Sequence, residues 1–333
     1  MSRALRAAWA NVIRRPRLTA AIVVGVALVI LPSVLPNAYQ VHVITVGLIY
    51  AILAASWDLL YGIGGVLSFA QASFFGIGAY AYALLNVHYG LNPWAGLIVA
   101  GVAASLLGIV FSFASIRLRG TYLALSTLAF AQTLQIIDLN FVQLTRGTLG
   151  LSGYDTLTAL EGTDAGYYYF GLVLMAVLVG GMWWLGRRTS WGLAWRAIKA
   201  DPSRAETVGI NVPLYRMLVF VIGSFAAGVA GAFYADYLIV ITPSELDASL
   251  TAMVIAMAII GGAGTIVGPA VAGFLVQVLS EYLRFLGGAL TLVALGLLIV
   301  VFVIFLPGGF AQLLGMLAAR IRPFAGQLLK WRK

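Results

Sequence analysis

The stretch Trp191–Pro213, WGLAWRAIKADPSRAETVGINVP, is the interruption around which the chain is organised. Apolar runs of membrane length stand on both sides of it, and only the two ends and one other loop go as long without one. Arg187, Arg188, Arg196, Lys199, Arg204 and Arg216 lie inside it or at its borders. So many charges are costly in hydrocarbon, which makes the stretch an aqueous loop and its neighbours membrane spans.

Composition points the same way. Of 333 residues 62% are apolar and 9% charged, with a mean hydropathy of +1.00. A soluble domain cannot cover that much apolar surface, so the expected class is all-α, a polytopic integral membrane protein. The absence of Cys excludes disulfides and thiolate metal sites. The basic start, Arg3 to Arg17, precedes an apolar run without a small-residue cleavage site and reads as the flank of a retained first span.

A span needs roughly 20 apolar residues. Leu18–Leu35, Val43–Leu60, Val66–Leu85, Trp94–Ala114, Tyr122–Val142, Tyr167–Leu185, Leu214–Val240, Ala248–Ile260, Ile266–Leu286 and Leu290–Leu306 qualify or nearly qualify. That predicts about ten transmembrane helices. Two glycine clusters, Gly62, Gly64 and Gly65 and then Gly261, Gly262 and Gly264, are read as helix breaks that make two glycine-broken helical hairpins. The spans beside them either cross fully or enter and leave by one face.

Charge asymmetry orients the chain. With a cytoplasmic start, segments 1–17, 115–121, 187–213 and 307–333 fall inside and, with their borders, hold eighteen of the twenty Lys and Arg. Asp155, Glu161, Asp164, Glu245 and Asp247 fall in outer loops. The expected organisation is a cytoplasmic basic N-terminus over 1–17, a transmembrane domain over 18–306 with an outer loop at 143–166, and a cytoplasmic basic tail over 307–333. Both termini are expected in the cytoplasm. The net charge of +9 then reflects orientation, and no nucleic-acid partner is expected.

Catalytic motifs are absent. None of Lys199, Lys330 and Lys333 follows a glycine, which excludes a Gly-Lys-Ser/Thr phosphate loop. No zinc-protease motif and no Gly-x-Ser-x-Gly elbow occur. His42 and His88, near outer span ends, read as polar rings at the interface. No cofactor and no metal are expected in this chain.

Polar residues within spans are more informative. Gln71 and Ser73 follow the first glycine cluster and would be costly against lipid, so they face either a solute path or another helix. In Tyr122–Val142, the residues Tyr122, Ser126, Thr133 and Asn140 fall within some 40° of one another at about 100° per residue. That stripe is expected in the interior, lining a route or cementing helices. In the central loop Asp201 before Pro202 is a helix start, Ser203 with Glu206 an alternative capping box, and Gly209 a stop. Arg204, Ala205 and Val208 are expected on one face of this compact knob. An ordinary arginine-rich inner loop is the plain alternative.

Several segments taken in order resemble the permeases of branched-chain amino acid ABC importers, and of the two permease types the LivM-like one. They are Ser68-Phe-Ala-Gln-Ala-Ser-Phe-Phe-Gly-Ile-Gly-Ala-Tyr80, Arg119-Gly-Thr-Tyr-Leu-Ala-Leu-Ser-Thr-Leu-Ala129, Gly147-Thr-Leu-Gly-Leu-Ser-Gly153, Arg196-Ala-Ile-Lys199 through Gly209-Ile-Asn211, Gly261-Gly-Ala-Gly264 and Pro307-Gly-Gly309. The resemblance implies a second, LivH-like permease, two cytoplasmic ATP-binding subunits that bind ATP and Mg, and an extracytoplasmic solute-binding protein. It implies a bacterial inner-membrane location and a role in ATPase coupling for the loop 187–213, with Asp201, Pro202, Arg204, Ala205, Glu206 and Gly209 as its candidates. The family pattern Glu-Ala-Ala-x-x-x-Gly is met here only at Ala205 and Gly209. Where many relatives have Gly and His, this chain has Ala70 and Gln71. Relatives serve leucine, isoleucine and valine, but also urea, short amides and aromatic acids.

Two other classes compete. A stand-alone secondary transporter or channel would need an intramembrane charged pair, whereas Asp58, Asp138, Asp236, Glu281 and Arg284 all lie near span ends. A structural scaffold would not need two glycine breaks and a polar stripe. The acids Asp155–Asp164 with Tyr167, Tyr168 and Tyr169 are candidates for a landing surface, or for plain interfacial anchoring.

Overall fold

The computed structural model describes residues 28–34, 37–118, 120–157 and 164–284, with isolated positions at 25, 287, 293, 296, 297 and 309. The basic segments 1–17 and 310–333, over half of the span Leu18–Leu35 and most of the span Leu290–Leu306 lie outside the described residues.

The helices are α1 (Ala38–Asp58), prolonged by a π-helical turn at Leu59–Ile63, α2 (Gln71–Tyr89), α3 (Pro93–Arg117), α4 (Thr121–Asn140) and α5 (Asp164–Arg188). After them come α6 (Ser190–Ala200), α7 (Pro202–Thr207), α8 (Val212–Leu238), α9 (Ala248–Gly261) and α10 (Val267–Leu283). Polar side chains start several of them by accepting orphan amides. Asn92 accepts from Trp94, Thr189 from Gly192, Asn211 from Leu214 and Asp247 from Ser249. Pro93 and Pro213 stand in the first turn, where the missing N–H costs nothing.

Among the described residues five helices are long and apolar enough to cross a membrane: Ala38–Ile63, Pro93–Ser115, Thr121–Asn140, Ala165–Arg188 and Val212–Leu238. The most apolar window of the first is 89% buried, so α1 is the central post, packed against α10, α5 and α8. Small residues let α8 lie close to α2 and α3: a Cβ on Gly78 would strike the backbone of Gly228, and one on Gly231 the Phe75 carbonyl. At the periphery α3 turns Ile98, Val102, Leu106, Val110 and Phe113 outward in a continuous apolar stripe. A face like that is stable against lipid or another apolar surface, and the protein is accordingly a mostly helical, polytopic membrane protein.

The two ends of the bundle are tied separately. At one end Arg187 reaches Gly264, Lys199 reaches Gly62 and Arg216 reaches Ser115. At the other, Asn86 binds Asp155, Tyr154 binds Ala235 and Gln135 binds Asp247, beside a two-residue antiparallel ladder pairing Leu151 with Ile241 and Ser152 with Val240. Basic side chains of the central loop and its borders thus gather both glycine clusters and the end of α3 at one end, and the Asp155 and Asp247 segments lie at the other.

The region beside the first glycine cluster differs from expectation. The span Val66–Leu85 begins as helix only at Gln71 and runs to Tyr89, because residues 66–70 are not helical. The pairs beside the glycine clusters are also unlike each other: α9 packs along α10, whereas α2 leaves α1 and packs on α8 and α3.

Candidate functional site

The first glycine cluster turns the chain back into the protein. The π-helical turn ends at Ile63, where Gly64 N donates to Leu59 O (3.0 Å) and Val66 N to Leu60 O (2.9 Å). Gly65 then takes φ 69°, a value that glycine adopts without strain. Residues 66–70 run back to the level of Leu53 and Ser56, where Gln71 Nε2 donates to Ser56 Oγ (2.5 Å). Irregular backbone inside a bundle must find partners there. Trp57 Nε1 donates to Ser68 O (2.9 Å), Phe69 N to Thr127 Oγ1 (3.0 Å) and Ala72 N to Thr251 Oγ1 (2.9 Å). Side chains from α1, α4 and α9 thus replace the hydrogen bonds that a continuous helix would make. Gln71 and Ser73 are fully buried, and among the described residues Gln71 Oε1 and Ser73 Oγ have no hydrogen-bond partner.

The second cluster lies against the first. Helix α9 ends at Gly261, and Gly262 and Gly264 take φ 94° and 90°. Asp58, fully buried at the end of α1, accepts from Gly264 N through Oδ1 (2.6 Å) and from Ile266 N through Oδ2 (2.7 Å). Its carboxylate stands at the start of α10, where a negative charge is favoured. Ile266 has φ 62° and ψ −53°, and Val267 N donates to Thr265 O at 2.8 Å. That is a γ-turn centred on a β-branched residue, a strained conformation. A Cβ on Gly62 would collide with both Asp58 and Gly264 N, so the two breaks touch through bare backbone.

Above this junction sits the central loop. Asp201 Oδ1 accepts from Ser203 N (3.0 Å) and Arg204 N (3.2 Å) and Oδ2 pairs with Arg204 Nε (3.0 Å), with Pro202 in the first turn. Asp201 is therefore the cap, and the Ser203–Glu206 alternative is not used. Gly209, at φ 86°, closes the turn, with its N–H on Glu206 O (3.0 Å). The expectation of one shared face for Arg204, Ala205 and Val208 is corrected. Ala205 is buried with Ile198 and Val212, while Arg204, Glu206 and Val208 are exposed. At about 100° per residue Ala205 lies a full 100° from Arg204, whereas Val208 lies only some 40° from it. A shallow groove of ≈ 400 Å³ lined by Ala197, Ala200, Asp201, Arg204, Ala205 and Val208 opens on this knob.

The α4 stripe also sits differently from expectation. The helix buries Leu123, Ala124, Thr127, Ala131 and Asp138, a face more than 90° around from much of the stripe. Tyr122, Thr133 and Asn140 are exposed on this chain and Ser126 is half-buried. Ser126, Thr133 and Asn140 hydrogen-bond carbonyls of their own helix, at 2.9, 2.9 and 2.7 Å. Among the described residues, the hydrogen bonds of Ser126, Thr133 and Asn140 therefore tie α4 to itself and not to another helix.

Tyr168 is buried, with its hydroxyl on Leu28 O (2.7 Å), and Tyr167 packs against Phe233 and Tyr237; only Tyr169 is exposed. Tyr167 and Tyr168 thus join helices, and residues 158–163 of the acidic stretch lie outside the described residues. His42 is stacked on Tyr237 and bonded to its hydroxyl (3.0 Å). Sequence reading names neither Trp57 nor Thr251, places Thr127 only within a polar span, and takes Asp58, Arg187 and Lys199 as charges at span ends and in the loop, without their backbone partners. A carboxylate four residues before a glycine cluster was the one available sign.

The chain is thus a membrane bundle whose helices break against each other at two glycine clusters, with a capped knob packed at one end. The family described as "Branched-chain amino acid transport system / permease component" matches residues 39–306, and the chain belongs to it. The chain is 31% identical to the high-affinity branched-chain amino acid transport system permease protein LivM of Escherichia coli K12, over 81% of this chain and 69% of that one. It is 30% identical to the LivM permease of Salmonella typhimurium, over 86% and 73%. To a probable LivH permease of Methanocaldococcus jannaschii it is 26% identical, over 68% and 74%. No solved structure matches the chain.

Proposed function

We propose that this permease subunit imports branched-chain amino acids, or a related small polar solute, as half of the membrane path of an ATP-driven transporter. One observation carries the reading: the capped knob α7 is connected through Lys199 directly to the break that positions Gln71. That connection gives a movement of the knob a route to the buried Gln71. The LivM and LivH proteins that the chain resembles are named as branched-chain amino acid transport permeases.

In this reading Asp201, Pro202, Arg204, Ala205, Glu206 and Gly209 build the surface that meets an ATP-binding subunit. Ala205 acts from inside, by packing, and Arg204 and Glu206 act from outside. Two such subunits bind the ATP and Mg, and the chain itself hydrolyses nothing. A LivH-like permease covers the exposed α4 face, so that Tyr122, Ser126, Thr133 and Asn140 line a path shared between chains, with Gln71 and Ser73 at its inner wall. Gly62, Gly64, Gly65, Gly261, Gly262 and Gly264 supply the breaks. An extracytoplasmic binding protein delivers the solute to the end marked by the Leu151–Ser152 ladder. The chain crosses a bacterial inner membrane ten times with both termini in the cytoplasm, and its transmembrane domain spans 18–306.

No observation favours a transporter working alone, since the buried Asp58 is committed to two backbone amides. Purification of the chain from its own membrane under mild detergent tests the assembly. An ATP-binding subunit and a second permease are expected to come with it, and their absence at every detergent concentration contradicts the proposal.

A further inference from the structure

Three charged side chains that share no motif meet where the two helix breaks touch. Lys199, in the last turn of α6 and two residues before the Asp201 cap, donates from Nζ to Gly62 O at 2.6 Å. Its ammonium also lies 5.7 Å from the centre of the Tyr61 ring. Arg187, near the end of α5, donates to Gly264 O at 2.8 Å. Asp58 grips Gly264 and Ile266 from below. The Gly62 carbonyl, in the last turn of the π-helical segment, has no partner within that helix, so the Lys199 cation both satisfies it and suits the helix dipole.

We propose that Lys199 is a positioning residue of the transport cycle, the tether that makes the glycine breaks follow the knob α7. This rests on the importer reading above. The contact can push as well as pull. A Cβ on Gly65 would lie only 2.9 Å from Lys199 Cα, Cβ and Cγ, so α6 rests on the first break without a gap. Packed interfaces of this kind shift between discrete arrangements and do not stretch. The strained γ-turn at Ile266 supplies a place for a second arrangement, because the Asp58 carboxylate holds it in a conformation it would otherwise leave. Movement of the first break is passed on, since the same segment delivers Phe69 to Thr127 of α4 and Gln71 to Ser56 of α1.

The test uses the complete assembly in lipid vesicles: this chain, its partner permease, the ATP-binding subunits and the binding protein. Leucine taken up per ATP hydrolysed is compared for wild type, Lys199→Met and Lys199→Arg. Methionine keeps the length and apolar stem but loses the donor and the charge, and arginine keeps both. Lys199→Met is expected to assemble and hydrolyse ATP, with solute per ATP lowered about tenfold, the shift that one charge-assisted hydrogen bond makes between two states. Lys199→Arg is expected to return most of it. An unchanged ratio in Lys199→Met beside a coupled wild type overturns this inference alone. Loss of assembly in Lys199→Met without rescue by Lys199→Arg marks a purely structural contact and also overturns it. A wild-type assembly whose uptake ignores ATP overturns the importer reading, and the tether falls with it.

Discussion

Asp58 and Ile266 are separated by 208 residues, yet the carboxylate of one accepts the amide of the other at 2.7 Å inside the bundle. The same carboxylate accepts Gly264 N at 2.6 Å. One side chain therefore holds the start of α10 and, from its place four residues before Gly62, both glycine breaks.

Removing that grip leaves two buried amides without acceptors. Asp58→Ala should cost about 1–3 kcal/mol for each orphaned amide, and Asp58→Asn, which keeps one oxygen, about half as much in total. Thermal unfolding of the purified protein in detergent measures both. Equal stability of Asp58→Ala and wild type would show that the junction is held by packing alone.

The breaks also depend on bare backbone. Gly62→Ala would force a methyl against Asp58 and Gly264 N, and overpacking of this kind costs about 1–3 kcal/mol. Gly180→Ala, in the exposed middle of α5 with nothing within 4 Å of the added carbon, should instead be neutral or stabilising by up to about 1 kcal/mol. The opposite order in the same unfolding assay would contradict the close approach of Gly62 to Gly264.

At the knob, geometry separates folding from coupling. Gly209 has open space around it, so a side chain there meets no neighbour, but its φ of 86° is closed to β-branched residues. Gly209→Val should insert and assemble normally while uptake per ATP falls. Asp201→Ala should lose about 0.5–2 kcal/mol of local helix stability, read as faster hydrogen exchange at the Ser203 and Arg204 amides. Unchanged exchange there would remove Asp201 from the cap.

Two neighbouring carboxylates in the turn before α9 should give opposite pH slopes. Burial pushes Glu245 up to about 7, against the pull of hydrogen bonds from Tyr234 and Thr242. Its folded form then holds a proton that the unfolded chain has released, so Glu245 should lower stability as pH rises from about 4.5 to 7. Asp247 is held below its usual value by the Ser249 amide, so its contribution is present above the unfolded carboxylate range and fades as pH falls through the lowered value. Glu245→Gln should flatten the stability–pH curve between about pH 4.5 and 7, and a curve still falling there would place the titration elsewhere.

Legibility in the sequence followed the range of the interactions. The helix Pro202–Thr207 and its closing Gly209 could be read in advance because cap, proline and glycine act within a few residues. The start of α2 could not, because residues 66–70 are apolar enough to continue a span, and what makes them irregular is Trp57, Thr127 and Thr251 from three other helices. Asp58 read as a charge near a span end, which is true along the chain and misleading in space. The α4 stripe was a correct periodicity with its direction left undetermined, since periodicity groups residues on a face without saying what the face meets.

ATP dependence of leucine uptake, in vesicles holding this chain, a LivH-like partner, the ATP-binding subunits and the binding protein, tests the central claim most directly. Accumulation that requires hydrolysable ATP and stops when the ATP-binding subunits are omitted is the predicted result. Uptake by this chain that persists without ATP would contradict it.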